Sequence, residues 1–411
     1  MNKDVIYSPE EDIARAVEEY ETPFFLYSEK RIRENCRAMK EAFGSRFENF
    51  WPLYAVKANP NPEVLKIIQD EGFDFDVSSE AEVWICEKIG GKGMHTGNYT
   101  PASEFKAADE AGFILNLDDV TLLDAVKEIG VPETLSFRIN PGVGNATKES
   151  CITAGPNAKY GVPHEKAVEA YRLAKEAGVK KFGIHMMTGS NVPIEEKDYF
   201  ADIVRKLFAV VAAVKKETGI EIELMNIGGG FGVPYQPEKE SLNMDELAAS
   251  VRRVFDEECE AHDLKEPRLL LEPGRYISAD AGWLIGNVRV VKDSYKKFIG
   301  IDASANDMPR PSIYDAYHYV SVLNGGEEKE VVSVVGTICE NNDQFAKDRE
   351  LPVCKIGDSV VIHNCGAHAH SMGHNYNGKP RHAEYLLQED GEIRMIRRAE
   401  TIEDLYSTVV L

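Results

Sequence analysis

The chain has 411 residues, 43% of them hydrophobic and 28% charged, which is the balance of a folded globular protein and argues against disorder as the main state. Its 47 basic against 69 acidic residues leave a net charge of −22, which repels nucleic acid and anionic membranes and better suits a cationic or zwitterionic small substrate. No run reaches the roughly 18 apolar residues of a membrane span. The first twenty residues, MNKDVIYSPEEDIARAVEEY, are charged throughout and lack the apolar core of a secretory signal, so a cytoplasmic location is expected. The seven cysteines (Cys36, Cys86, Cys151, Cys259, Cys339, Cys354, Cys365) are odd in number and widely spaced, with no CxxC pair to suggest zinc or a redox centre. Reduced thiols are expected.

The opening residues to about Tyr27 include TPFFLYS, which either pairs with a distant part of the chain or leads directly into the next domain; periodicity leaves both open. From Trp51 to Glu272 short apolar runs alternate with segments of helical spacing, the pattern of repeated βα units around a parallel sheet. Eight such runs are found: LYAVK (53–57), FDFDV (73–77), the weak GMHT (93–96), FILNL (113–117), LSFRI (135–139), FGIHMM (182–187), IELMNI (222–227) and LLLE (269–272). Helical spacers such as Pro62 to Asp70, Ala81 to Ile89, Phe105 to Ala111 and Ala201 to Thr218 lie between most of them. Right-handed crossovers would close these units into a (β/α)8 barrel over residues 28–280. After Arg275 the texture changes to NVRVV, KKFIGID, EVVSVVG, DSVVIH, AEYLL and EIRMIRR, separated by polar loops. These predict a second, mostly antiparallel β domain formed by residues 281–411 with 1–27.

Active sites of such barrels lie at the carboxyl ends of the strands. Lys57 ends the first run. Desolvation there should lower its pKa, as an amine that condenses with a carbonyl requires; a lysine that has simply left the strand for solvent is the plain alternative. Thr188, Gly189 and Ser190 follow the sixth run, Gly228 to Gly230 the seventh, and Glu272, Pro273, Gly274 and Arg275 end or follow the eighth. Glycines let backbone N–H groups approach phosphate oxygens, a serine adds a donor, and the late loops are the usual phosphate site of a barrel. GGGFG by itself is equally a tight turn. Glu272 is placed to hold a pyridine nitrogen protonated or, more plainly, to pair with Arg275.

The segments YAVKANPNPEVL, FDVSSEAEV, FRINP, GIHMMTG followed by SNVP, NIGGGFG, EPGR, RPSIYDAYH, ICENNDQFAKDREL and SMGHNYNGKPR, in this order across nearly the whole chain, resemble the diaminopimelate and ornithine decarboxylases, fold type III pyridoxal-phosphate enzymes of the alanine-racemase group. The resemblance implies an alanine-racemase-like (β/α)8 barrel with a C-terminal β domain, pyridoxal 5'-phosphate as cofactor, and a homodimer with shared active sites. It implies that Lys57 is the Schiff-base lysine, that Asp76 and Glu80 lie beside it and the cofactor face, and that Arg138 supports that polar network. Ser190, Gly229, Gly230 and the Gly274–Arg275 turn match phosphate-binding positions, and Glu272 matches the carboxylate that pairs with the pyridine nitrogen. Arg275 would also reach substrate. Arg310 and Tyr314 match the residues that hold a distal substrate carboxylate in the diaminopimelate enzymes, a bidentate task that suits arginine. Cys339 and Glu340 match a pair that reaches across the dimer, the cysteine to the reacting carbon and the glutamate to the distal ammonium.

Two departures fall among these positions. Where the family carries a histidine that stacks on the cofactor ring this chain has Met187, two residues after His185, and a thioether can cover a ring but cannot tune charge as an imidazole does. His368 stands where the family has a tyrosine contacting phosphate and substrate. A smaller difference is TGNYTP (96–101), which lacks a lysine of the family's motif. His368, His370 and His374 have no acidic or cysteine partner at a spacing that would complete a metal site, so no metal is expected. The resulting expectation is decarboxylation of meso-diaminopimelate to L-lysine. The rivals are a D-ornithine or D-lysine decarboxylase and a catalytically silent regulatory relative.

Overall fold

In the computed structural model, which describes residues 6–146, 152–192 and 198–410, the chain divides into two units. One comprises Glu34–Gly232 and Leu242–Gly274; the other Met1–Arg33, Val233–Ser241 and Arg275–Leu411. Cys151 and Pro193 of the SNVP segment lie outside the described residues.

The first unit is a closed barrel of eight parallel strands. In chain order they are Trp51–Ala55, Asp74–Val77, Gly93–His95, Ile114–Leu117, Thr134–Asn140, Lys181–His185, Ile222–Asn226 and Arg268–Leu271. Each pairs in parallel with the next, and the eighth pairs back on the first through Leu270 opposite Trp51. They correspond to the eight apolar runs, including the weak third one. Helices Pro62–Asp70, Glu80–Lys88, Ala102–Glu110, Leu123–Ile129, Ala167–Ala177, Tyr199–Thr218 and Met244–Ala261 fill the crossovers. Several start at sequence-legible caps: the side chains of Asn61, Ser79 and Asn243 accept from backbone N–H groups in the first turn of their helices.

The lower part of the barrel interior is apolar. Leu53, Met94 and Leu270, from the first, third and eighth strands, form one buried cluster with Trp51, Ile114 and Leu224 against it. Strands three and eight are not neighbours, so their contact runs through the interior, as expected where side chains and not a channel fill the barrel.

The second unit is a nine-stranded, mostly antiparallel sheet. Its central strand, Gly282–Asp293, pairs antiparallel with Phe24–Ser28, Lys297–Ile301 and Ser359–Ile362. Phe24–Ser28 also pairs in parallel with Ala383–Leu387, which settles the open question about TPFFLYS. The segment is buried at every position, with Phe24 and Leu26 packed on Trp283, Ile285 and Tyr385. Helix Glu10–Glu19 adds Ile13 and Ala16 to the same core. Two strands, Val320–Val322 and Gln344–Pro352, are not apparent in the sequence. The second lies at one end of the sheet and reads QFAKDRELP, with charges on both sides of a short apolar stretch. An edge strand needs no continuous apolar face, so its pattern carries little β signal. No helix among the described residues is long and apolar enough to cross a membrane.

Candidate active site

At the carboxyl end of the barrel the interior changes from apolar to polar within one layer. Asp76, Asn116, His185 and Glu272 come from, or directly follow, the second, fourth, sixth and eighth strands, the alternate-strand arrangement of a barrel layer. All four are buried. The Asn116 amide nitrogen is 2.8 Å from His185 Nδ1, and His185 Nε2 is 3.3 Å from Glu272 Oε2. Asn226 at the end of the seventh strand donates to Glu272 Oε1 at 2.7 Å and sits 3.4 Å from the sulfur of Met94 below.

Lys57 lies just past the first strand in the turn Val56–Ala58, with Nζ 3.0 Å from Asp76 Oδ2 and 3.5 Å from Ser78 Oγ. Enclosure by protein would lower its pKa, but Asp76, Glu272 and Glu82 outweigh that effect and hold the ammonium above the ordinary lysine value. The expected lowering is therefore reversed, because the strand end is lined with carboxylates and not with apolar groups. The side chain also keeps 48% of its surface accessible, so a reaction partner can reach it.

The two buried carboxyls diverge. Burial opposes the charge on Glu272, yet His185, Lys57 and the Asn226 amide around it bring its pKa down to about 2. Burial and the neighbouring Glu272 push Asp76 up to about 7 despite its ion pair with Lys57. Burial and like charge therefore outweigh pairing at Asp76, and Glu272 is the carboxylate that stays ionised.

The backbone of the late loops continues the strand ladder and leaves no room for side chains. Glu272 N–H donates to Gly228 O at 2.8 Å, and Ala55 N–H to Pro273 O at 3.2 Å. A Cβ on Gly229 would stand 2.2 Å from Glu272 O, and one on Gly230, at φ +85°, 2.3 Å from Gly189 O. Gly274 lies against Ala55 and Ala58, the residues flanking Lys57 in the first strand and its turn. Ser190 is half-buried five residues after the sixth strand. Met187 falls beyond that strand, which ends at His185, so strand alternation does not set its direction. Its sulfur accepts from Gly229 N–H at 3.3 Å, which puts the thioether on the glycine turn.

Arg138 is a brace between loops. Its Nη2 donates to Thr153 O at 3.2 Å and Met187 O at 3.3 Å, and its guanidinium lies 4.4 Å from the centre of the Tyr160 ring. Glu80 opens helix Glu80–Lys88 as an exposed residue. The carboxylate of that helix that acts on Lys57 is Glu82, which accepts from Ser78 N–H at 2.7 Å.

In the second unit Arg275 and Arg310 meet on one phenol. Both Nη1 groups donate to Tyr235 Oη, from 2.5 Å and 2.7 Å respectively. Arg310 is 7% exposed and opens helix Arg310–Tyr314, so the half-buried Tyr314 four residues on shares its face. Among the described residues no carboxylate pairs with Arg310; Asp307 and Asp315, on either side of it in sequence, pair with His382 at 2.6 Å and with Lys347 at 3.0 Å. No sequence signal points to Tyr235, which comes a few unremarkable residues after GGGFG in a stretch that belongs to the β unit. Cys339 and Glu340 are exposed; Cys339 N–H donates to Asn377 Oδ1 at 2.7 Å, and Glu340 Oε1 accepts from Asn342 N–H at 3.3 Å. His368 is half-buried at φ +55°, a left-handed conformation rare for residues other than glycine. His370 lies by contrast 3.9 Å from Glu384 in the sheet core, and the described residues contain no group of three His, Cys, Asp or Glu arranged to hold a metal. The six described cysteines are free thiols.

A reachable lysine among carboxylates, a buried ionised glutamate and a turn of side-chain-free amides make up the donor set for a phosphorylated pyridine aldehyde: an amine for its carbonyl, an anion for its ring nitrogen, N–H groups for its phosphate. The barrel is thus that of a pyridoxal-phosphate enzyme. Residues 29–279 match the family described as pyridoxal-dependent decarboxylase, pyridoxal binding domain. A diaminopimelate decarboxylase of Methanothermobacter thermautotrophicus is 39% identical over 96% of this chain and 93% of its own length. Protein TabA of Pseudomonas amygdali pv. tabaci is 38% identical over 94% and 90%. The crystal structure of M. jannaschii diaminopimelate decarboxylase in complex with L-lysine superposes with a TM-score of 0.89 at 33% identity, covering 97% of this chain and 94% of that one. The chain belongs to the pyridoxal-dependent decarboxylase family, and its cofactor is pyridoxal 5'-phosphate.

The split between the carboxyls has a measurable consequence. A carboxyl with a folded-state pKa of about 7 and an unfolded value near 4 binds its proton more tightly when folded. Between those values stability then falls as pH rises, by no more than about 1.4 kcal/mol per pH unit. In cofactor-free protein, urea unfolding of Asp76→Asn should lack this slope, so the variant gains on the wild type between pH 5 and pH 8. Parallel responses of the two proteins would show that Asp76 is not protonated near neutrality.

Proposed function

We propose that the protein decarboxylates meso-diaminopimelate to L-lysine and carbon dioxide in the cytoplasm. The observation that carries this choice is Arg310: a buried guanidinium with no acidic partner among the described residues, set beside Arg275 on Tyr235. A buried charge without a counter-charge is costly, and a substrate with a second carboxylate would supply one. The diaminopimelate decarboxylases at 32–39% identity over nearly the whole chain support the same substrate.

In this reading Lys57 would supply the amine for the cofactor's aldehyde, and Glu272 would be the anion that keeps the ring nitrogen protonated. The Gly229–Gly230 turn, Ser190 and the Gly274–Arg275 segment hold its phosphate, assisted by His368. When bound, the cofactor supplies an electron sink for the pair left behind as the Cα–carboxylate bond breaks. Met187 and His185 would lie beside the cofactor, and Asp76, with Glu82 on the following helix, sets the charge around Lys57, while Glu80 stands exposed at the start of that helix. Arg310 and Tyr314 hold the distal carboxylate, Glu340 its neighbouring ammonium, and Cys339 returns a proton to Cα. Because Cys339 and Glu340 are exposed, they are assigned to the active site of a second copy in a homodimer.

Carbon dioxide release from meso-diaminopimelate and from both enantiomers of lysine and ornithine tests the substrate. The expected kcat/KM order puts diaminopimelate first, and Arg310→Ala lowers that value by on the order of 10- to 100-fold while sparing monocarboxylate substrates. A wild-type preference for D-ornithine or D-lysine would replace the assignment, and no release from any of them would leave a silent homologue. Borohydride reduction of the holoenzyme followed by peptide mapping should find the cofactor on Lys57; an adduct on another lysine would overturn its role. Lys57→Ala and Cys339→Ala chains, each inactive, should regain activity on mixing, with one working site per mixed dimer. Persistent inactivity despite proven subunit exchange would rule out sharing.

A further inference from the structure

Tyr235 is buried, and its hydroxyl is the meeting point of two cations. The guanidinium carbons of Arg310 and Arg275 stand 5.1 Å and 5.8 Å from its ring centre, so both side chains are constrained by the ring face as well as by the oxygen. The ring is itself fixed: His318 packs edge-on at 4.9 Å, and the preceding Pro234 O accepts from Asn364 Nδ2 at 2.7 Å. The imidazole of His318 is anchored in turn through Nδ1, 2.8 Å from His363 O. Two like charges drawn to one acceptor repel each other and, against the burial that would raise it, together lower the pKa of the phenol; an arrangement that only filled space would not need both. What the phenol provides is one common anchor for two guanidinium groups, whose planar forks are thereby held near each other.

We propose that Tyr235 is a positioning residue for substrate carboxylates: by holding Arg275 and Arg310 at a set spacing it makes them a paired clamp and selects amino acids that carry a carboxylate at both ends. The inference rests on the assignment of Arg310 to the distal carboxylate and extends it to the residue that Arg310 shares with Arg275. Removing the phenol oxygen takes away the one acceptor the two guanidinium groups share, and their mutual repulsion then acts against the set spacing. A dicarboxylate then loses a preorganised site, whereas a ligand with one carboxylate needs only one fork.

The test uses the full-length holoenzyme and the variants Tyr235→Phe and Tyr235→Glu. Inhibition by pimelate, a dicarboxylate without amino groups, is compared with inhibition by cadaverine, which has no carboxylate. In Tyr235→Phe the pimelate Ki should rise by about 10-fold or more while the cadaverine Ki changes little, and the loss of kcat/KM for diaminopimelate should fall on KM more than on kcat. Tyr235→Glu places an internal carboxylate between the arginines and should weaken pimelate further. Equal weakening of both inhibitors, or a pimelate Ki that stays put in both variants, would overturn the proposal. If the wild type prefers a monocarboxylate substrate yet the pimelate effect appears, the clamp stands and the diaminopimelate assignment falls. If diaminopimelate is preferred and the effect is absent, the reverse holds.

Discussion

The charge pattern at the carboxyl end of the barrel depends on keeping one carboxylate, that of Glu272, charged while buried. Isolated burial would neutralise it. Asn226 from the seventh strand bonds one of its oxygens, His185 from the sixth stands beside the other, and the positive charge of Lys57 from the first acts on both. These groups come together only because the sheet closes between its eighth and first strands. The same charge then acts outward: it helps hold Lys57 protonated and forces Asp76 up. Two carboxyls in one layer are thereby separated in acidity, Glu272 held below the ordinary carboxyl value and Asp76 held above it.

Support for that layer is apolar and lies directly beneath it. Along a strand the side chains two residues apart share a face, and here that step takes the interior from hydrocarbon to polar: Ile114 to Asn116, Leu224 to Asn226, Leu270 to Glu272. The Leu53–Met94–Leu270 plug excludes water from below. Hydrogen bonds and charges in the layer above therefore act in a medium of lower polarity than the solvent, which is why the two carboxyls are shifted so far.

Much of this was legible in the sequence. The eight apolar runs became the eight strands because strands covered on both faces must be apolar almost throughout. The glycines after the seventh run read either as a phosphate loop or as a tight turn, and the structure adds a close approach of backbone to backbone, where a Cβ on Gly229 or Gly230 would stand 2.2 Å or 2.3 Å from a carbonyl oxygen. Less visible were residues whose importance comes from contacts distant in sequence. Asn116 and Asn226 look like ordinary strand ends until the barrel closes on His185 and Glu272. Motif position favours Glu80 over Glu82, but the first turn of a helix rotates successive side chains by about 100° each. That rotation brings Glu82 back to Ser78 and Lys57 and leaves Glu80 exposed. Tyr235 belongs to the β unit although barrel sequence flanks it on both sides, and no local pattern announces such an excursion.

Met187 shows why position in a motif and direction in space must be kept apart. Two residues after His185 it would share that side chain's direction if the strand continued, but the strand stops at His185 and the chain turns toward the glycines. The sulfur consequently meets Gly229 N–H as a soft acceptor on the glycine turn. An imidazole there would add a group that gains charge within a unit or so of neutrality. A thioether adds none, so the electrostatics of the glycine turn stay constant across that range. Asp76, whose pKa is raised to about 7 and which pairs with Lys57, ties the titration of this layer directly to that lysine.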